Sequence, residues 1–335
     1  MNFPKFVRYL LWPFSVLYGW AVHTRVWLYR TGWLKRKHLK APVISVGNLT
    51  VGGTGKTPMV IWLAEKFLAD GKRVAILSRG YRGEKGTSDE IELMKCRLQG
   101  RVFFGVGKNR FAEGQRLEAQ QPVDVFLLDD GFQHLQLARD LDILLMDTSR
   151  SPHAEMLLPA GRLREPLSSM ARANLVVFTR AETAPGALEA IGKLSNFPVF
   201  AAATRLLGFR RFGGDIHLQS KEEIGVGPFF AFCGIGNPDA FFCDLRNWGL
   251  AICGQAAFSD HHRYSLRDVS SIHLAAKKAG ANAVLTTEKD AQNLSPQSFG
   301  EIPLYICVIE FEVSPEADFR NVLDQTFVSR SGAAA

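Results

Sequence analysis

The sequence predicts an α/β fold: a doubly wound, mostly parallel sheet, a second and smaller α/β domain, and an amphipathic helix at the N-terminus. Three observations carry this. From residue 41 onward, short apolar runs alternate with helix-like stretches, the pattern of strands covered on both faces by crossover helices. A glycine-rich segment joins one run, Val43-Ile-Ser-Val46, to the helical stretch Met59-Val-Ile-Trp-Leu-Ala64. The first forty residues are basic and aromatic, with no acid among them.

That arm, residues 1–40, holds eight Lys and Arg (Lys5, Arg8, Arg25, Arg30, Lys35, Arg36, Lys37, Lys40). The whole chain nets +7, so the rest sums to −1. The basicity is local. At 100° per residue, Lys5, Arg8, Ser15, Gly19, His23 and Arg30 fall in an arc of roughly 80°, leaving a broad face of Trp, Phe and Leu. The stretch between Arg8 and His23 contains Pro13 and is shorter than the ~20 apolar residues of a spanning helix. No small-residue cleavage site follows it. A helix lying in an anionic membrane surface fits, with aromatic rings at headgroup depth and each Lys or Arg attracted by ~1 kcal/mol. The alternative is a basic helix packed on the protein's own core. Nucleic acid is not expected as a partner, because aromatic and leucine content this high suits lipid, and no protein partner is predicted.

The segment Asn48-Leu-Thr-Val-Gly-Gly-Thr-Gly-Lys-Thr-Pro58 is a phosphate-binding loop between strand and helix. Glycines let successive N–H groups turn toward an anion, and the helix N-terminus adds its positive end. Thr50, Val51, Gly52, Gly53, Thr54 and Gly55 form the cradle, Lys56 reaches the β- and γ-phosphates, and the Thr57 hydroxyl ligates Mg²⁺. Thr50 stands where the usual pattern has glycine. This makes the predicted core a P-loop NTPase-like sheet.

Further strands follow at Arg73–Ser78, Val102–Val106, Val123–Leu128, Leu141–Met146 and Asn174–Thr179, with a helix over Asn109–Ala119 and a long polar loop from Asp147 to Arg172. Glycines clustered over residues 205–228 mark a boundary, giving a core domain of 41–205 and a second domain of 206–328. The second begins with Phe229-Phe-Ala-Phe-Cys233. It continues through helices after Pro238 and Leu266 and strands Ala283–Thr286 and Leu304–Ile309. Residues 329–335 are expected to be a disordered tail. Five cysteines without a C-x-x-C pair read as reduced, mostly buried thiols of a cytosolic compartment.

Asp129-Asp130 ends an apolar run, where a P-loop enzyme holds Mg²⁺; Asp147, after the next run, repeats the signal more weakly. Asp260-His-His262 offers an imidazole beside a carboxylate, a base near neutral pH. Gly161-Arg-Leu-Arg-Glu165 places guanidiniums and a carboxylate in the long loop, which long loops commonly use for function. Thr179-Arg-Ala-Glu182 only faintly echoes a guanine-reading segment, since its Lys is missing and its acid is Glu. A switch GTPase or ATPase is therefore the second choice.

Gly47–Pro58, Ser78-Arg-Gly-Tyr81, Asp129-Asp-Gly-Phe-Gln-His134, Leu158-Pro-Ala-Gly-Arg-Leu-Arg-Glu165 and Phe258-Ser-Asp-His-His262 together resemble the tetraacyldisaccharide 4′-kinase family of lipid A synthesis. The resemblance runs from the arm to about residue 310, and the Thr50 form of the loop is the family's own. It implies an ATP- and Mg²⁺-dependent kinase, peripheral on the cytoplasmic face of the inner membrane. The implied substrate is an acylated glucosamine disaccharide 1-phosphate, phosphorylated on its 4′-hydroxyl. By motif, the resemblance assigns Lys56 and Thr57 to phosphates and metal, and Asp129, Asp130 and Glu165 to the metal and nucleotide site. Arg164 and Tyr81 would line the same cleft. Asp89 and His261 would be the acid–base pair, one on each domain, although Ser88 precedes Asp89 where the family has glycine.

Overall fold

A computed structural model describes residues 4–80, 88–149, 155–181, 197–214, 217–295 and 302–333. The chain forms two compact units. Unit 1 comprises Met1–Gly86, Arg97–Ala203 and Phe311–Ala335; unit 2 comprises Thr87–Cys96 and Thr204–Glu310. The longest stretch of unit 1 ends at Ala203, and unit 2 resumes at Thr204. Two departures from the expected domains are clear. The C-terminal segment belongs to the first unit, and residues 87–96 belong to the second.

In unit 1, helix α1 (Lys5–Arg30) precedes β1 (Val43–Asn48), α2 (Lys56–Ala69) and β2 (Val74–Ser78). The short helix α3 (Asp89–Leu98) starts in unit 2. Unit 1 then continues with β3 (Phe103–Val106), α4 (Arg110–Gln120), β4 (Val125–Asp129), β5 (Leu141–Asp147) and β6 (Leu175–Thr179). Strand β7 (Val199–Arg211) leads out of it. The strand order is β3-β2-β4-β1-β5-β6-β7, and the ladders are parallel. Strands β1, β2, β4 and β6 are buried along their whole length. That is why they read as unbroken apolar runs instead of alternating ones. Register levels the strand ends: Val46 of β1 pairs with Asp129 of β4, and Asn48 pairs with Leu145 of β5. The loop after β1 and the aspartates after β4 therefore emerge side by side, at the carboxyl end where such sheets bind ligands.

Unit 2 carries α5 (Lys221–Ile224), β8 (Phe229–Cys233), α6 (Pro238–Asn247), β9 (Ile252–Ala257), α7 (Leu266–Lys278), β10 (Ala283–Thr287), α8 (Glu288–Ala291) and β11 (Leu304–Ser314), whose last residues re-enter unit 1. Its sheet order is β11-β10-β8-β9, again parallel. Phe229, Phe242, Leu245 and Leu285 fill one face of this sheet, and Phe232, Ile272 and Val284 belong to the cluster on the other.

Residues 334–335 lie outside the described residues, and residues 329–333 of the expected disordered tail are helical instead, in α9 (Glu316–Ala333). Its buried Phe319 and Leu323 recur at helical spacing. Phe319 meets Trp62 edge-on, Phe327 meets Phe67, and Lys66 pairs with Glu316 at 2.6 Å, so the helix seals α2. The thiols also depart from expectation, for only Cys233 and Cys307 are buried while Cys96, Cys243 and Cys253 are exposed; all five are free.

On helix α1, Ser15 and Gly19 of the polar arc face the protein, His23 and Arg30 of the same arc are exposed, and the apolar face turns outward. Ser15 is buried; its hydroxyl donates to the Leu157 carbonyl at 2.9 Å and accepts the Ala160 N–H at 3.0 Å. Tyr18 donates to the Arg164 carbonyl at 2.9 Å, and a Cβ at Gly19 would press within 2.9 Å of Leu157. Small residues there let the helix lie close on the 157–164 loop. Phe6, Tyr9, Leu10, Trp12, Phe14, Leu17 and Trp20 remain exposed. No described helix is long and apolar enough to cross a membrane.

Candidate active site

The phosphate loop is held open by local constraints. Gly55 caps α2 in the left-handed region (φ 84°), and a Cβ on it would collide with the Phe311 ring. Only glycine fits. The buried Asn48 side chain donates to the Thr54 hydroxyl at 2.8 Å, pinning one turn of the loop to the strand end. Its start is fixed from the other side. Val51 N–H donates to the Arg162 carbonyl, the Arg162 guanidinium donates to the Val51 carbonyl, and Arg164 N–H donates to the Leu49 carbonyl. Thr50 bridges Leu163 in an antiparallel pair. The long loop read from the sequence is thus a clamp on the phosphate loop. A small cleft opens beside it, lined by Thr50, Gly53, Thr54, Asp147, Glu155 and Arg162.

Lys56 begins α2, and its Nζ lies 3.6 Å from Asp130. Arg164 Nη1 donates to both Asp130 oxygens at 2.7 and 2.8 Å. Asp130 sits at φ 49°, a left-handed backbone that costs strain in a non-glycine residue. Burial alone would raise its carboxyl, but Lys56 and Arg164 outweigh burial and hold it below the ordinary range. Its neighbour Asp129 is buried and accepts a hydrogen bond from Ser78 Oγ at 3.1 Å. Glu165, also buried, accepts two charge-assisted bonds from Arg172 at 2.7 and 3.1 Å, a fork that fixes its plane. Close by in sequence, burial and the Arg110 charge press the His134 imidazole down to about 4, so it is neutral at physiological pH. The residues expected at the nucleotide (Thr50, Val51, Gly52, Gly53, Thr54, Gly55, Lys56, Thr57, Asp129, Asp130, Arg164 and Glu165) all belong to unit 1. Tyr81 lies outside the described residues.

Asp89 and His261 meet although 172 positions separate them: His261 Nδ1 is 2.9 and 3.0 Å from the two Asp89 oxygens. Both belong to unit 2, contrary to the expectation of one on each domain. The Asp89 carboxyl is nearly covered, and burial would raise it; the His261 bond and the Lys289 charge instead bring it down to about 2. The Asp89 bond raises the His261 pKa, against burial and the Lys289 charge. His261 is itself left-handed (φ 61°), with its N–H donating to the Gly234 carbonyl. Around it stand Glu90, Asp260 and Lys289. The sequence reading missed Lys289 and Arg172. Thr287-Glu-Lys-Asp290, charges directly after a buried strand, was the available signal.

The sequence profile of the family described as tetraacyldisaccharide-1-P 4′-kinase matches residues 7–328. The chain belongs to this family. A tetraacyldisaccharide 4′-kinase of Geobacter metallireducens is 38% identical over 96% of this chain and 98% of its own length. One from Geobacter sulfurreducens is 39% identical, covering 93% and 91%. Among solved structures, LpxK from Aquifex aeolicus in complex with ATP has a TM-score of 0.76 at 32% identity, over 96% of this chain and 99% of that one. As a tetraacyldisaccharide 4′-kinase, the chain is an ATP-dependent phosphotransferase with an alcohol acceptor, acting on a lipid A precursor.

Proposed function

We propose that this chain transfers the γ-phosphoryl group of ATP to the 4′-hydroxyl of a tetraacylated glucosamine disaccharide 1-phosphate, with the residues above in distinct roles. The backbone of residues 50–55 and the Lys56 ammonium bind the β- and γ-phosphates, and Lys56 offsets charge that grows on them in the transition state. Thr57, Asp129 and Asp130 offer a hydroxyl and carboxylates, hard oxygen donors that suit Mg²⁺. When bound, Mg²⁺ would neutralise phosphate charge. Arg164 keeps Asp130 in place, and Arg172 does the same for Glu165.

The hydroxyl oxygen forms a bond to the γ-phosphorus as the bond from that phosphorus to the β-bridging oxygen breaks and ADP leaves. The hydroxyl proton passes to the Asp89–His261 pair. The observation that carries this assignment is the 2.9 Å approach of His261 Nδ1 to Asp89. A carboxylate-bound imidazole is the described group best able to accept a proton near pH 7.

The exposed aromatic face of α1 supports a peripheral position on an anionic membrane, at the cytoplasmic face of the inner membrane where ATP is available. A phosphotransfer assay with labelled ATP and the acylated disaccharide in detergent micelles tests the reading. Label should appear in the lipid, and the variants Asp89→Asn and His261→Ala should lose transfer while still binding ATP. Loss of ATP binding in those variants would reject their role as the base.

A further inference from the structure

Lys289 has no part in the roles above, yet its side chain is largely buried at the centre of this group. Its Nζ lies 3.0 Å from Asp260 Oδ1, 3.3 Å from His261 Nε2, 3.5 Å from Glu90 Oε1 and 3.8 Å from Asp89 Oδ2. An ammonium has donors and no acceptor, so the ring nitrogen facing it must present its lone pair. The same ring turns Nδ1 to a carboxylate, which only accepts. Both contacts are satisfied by one tautomer alone: neutral imidazole with the proton on Nδ1.

We propose that Lys289 is a positioning residue for the Asp89–His261 pair: it fixes the Nδ1–H tautomer of His261 and, by its charge, limits the gain in proton affinity that the surrounding carboxylates give the imidazole. This rests on the reading of that pair as the base. Every charged group around the ring agrees with it. Asp89 and Glu90 from α3 and Asp260 from the neighbouring loop would together hold a proton on the ring. Lys289 is the cation that opposes them. Without it, Nε2 would face Glu90 at 3.7 Å and Asp260 at 3.8 Å, and burial would oppose protonation without the help of that cation. His262 is turned away, 3.2 Å from Asp268, and does not contribute.

The placement is engineered by the turn that carries Lys289. Its neighbour Asp290 is buried and accepts hydrogen bonds from Gly234 N–H at 2.8 Å, Tyr264 Oη at 2.8 Å and Thr287 Oγ1 at 2.6 Å. Gly234 in turn accepts from the His261 N–H through its carbonyl, at 3.1 Å. A Cβ at Gly234 would come within about van der Waals overlap of Ser259 O (2.9 Å), Asp290 Oδ1 and His262 Cβ (both 3.1 Å). One post, Asp290, therefore sets both the start of α8, where Lys289 stands, and the glycine that holds the imidazole backbone.

The test uses the full chain with isotope-labelled histidine and follows the His261 ring by nitrogen-resolved NMR across pH, in the wild type, Lys289→Met and Lys289→Arg. The wild-type neutral ring should be protonated on Nδ1. Lys289→Met should raise its pKa by about one unit or more, with the acid limb of the kcat profile moving up equally and kcat well below that limb falling about tenfold per unit. Lys289→Arg should restore most of both. A folded Lys289→Met with an unmoved imidazole pKa overturns the proposal. Should that variant not fold, an Nε2–H tautomer in the wild type overturns it alone. An undiminished kcat in His261→Ala would instead remove the base reading, and the imidazole shift would still decide whether Lys289 controls the ring.

Discussion

The Asp130 cluster of unit 1 and the His261 cluster of unit 2 share a plan and differ in sign. Each centres on a non-glycine residue in the left-handed region, Asp130 at φ 49° and His261 at φ 61°, and each brings a lysine against it. Strain of that kind persists where surrounding contacts over-determine the backbone, commonly at functional sites. Around Asp130, two cations converge on one carboxylate. The surplus is positive, and the carboxyl is held too acidic to accept a proton at neutral pH. Around His261, the carboxylates of Asp89, Glu90 and Asp260 are opposed among the described residues by the Lys289 ammonium. The first arrangement suits a polyanionic ligand, the second a mobile proton. The comparison therefore supports the proposal that charge stabilisation and proton transfer fall to different parts of the chain.

The largest expected effect tests the first half of this division. Lys56→Ala should lower kcat on the order of 10²–10³-fold with the fold intact, because water cannot replace a fixed charge on the transferring group. Steady-state phosphotransfer at saturating ATP measures it. A loss under about tenfold would mean that the Asp130 cluster does not serve the phosphates.

The second half rests on cooperation. Asp89→Ala and His261→Ala should each cost about 10²-fold in kcat. The double variant should cost little more than the worse single one, since groups acting as a unit are not additive. The double-mutant cycle is read on kcat, with nucleotide affinity measured separately. Additive losses would break the comparison by giving the two residues independent roles.

These two clusters were not equally legible. The phosphate loop is contiguous, so strand, glycines and Lys56-Thr57 declare it directly, and Asp129-Asp130 follows from the next buried run. The strands of unit 1 were readable for the same reason: burial on both faces leaves unbroken apolar runs. By contrast, the meeting of Asp89 with His261 depends on residues 87–96 joining unit 2, which local pattern does not encode. Only the family resemblance named Asp89. Lys289 was overlooked because Thr287-Glu-Lys-Asp290 marks charge after a buried strand without saying which residues it meets. Helix α9 was missed because its apolar stripe is interrupted by polar residues and earns its helix by packing on Trp62 and Phe67. For α1 the periodicity and the broad apolar face were visible but the inward contact was not: Ser15 and Gly19 look like a solvent stripe until Leu157 is seen against them.

A smaller effect sharpens that last point. Replacing Trp12, Leu17 and Trp20 by Ser should weaken binding to anionic vesicles at least about tenfold, as buried apolar area is lost. The residual binding should fall further as salt rises. Sedimentation with vesicles measures both. These surface changes are preferable to deleting residues 1–30, because Tyr18 holds the Arg164 carbonyl and a deletion would loosen the Asp130 cluster too. Unchanged vesicle binding at every salt concentration would place the membrane surface elsewhere.

The smallest effect is on stability, and its sign tests what governs the imidazole. Through its bond to Asp89, His261 has a folded pKa above its unfolded value of about 6.5. The folded protein therefore holds that proton more tightly than the unfolded chain. The resulting stabilisation is fully present below about pH 6.5 and is lost as pH rises through the folded pKa. Asp89 acts in the opposite sense. Its folded pKa is about 2, below an unfolded value of about 3.9. Its contribution is present above that unfolded value and disappears as pH falls toward the folded one. Both contributions are therefore in force between about pH 4 and 6.5. Urea denaturation of the wild type and His261→Ala at pH 5.5 and pH 9 should show a larger stability difference at the lower pH. A difference that instead grows with pH would mean that the fold depresses the imidazole pKa. Lys289 and burial would then outweigh Asp89, and the ring would stay neutral below about pH 6.5.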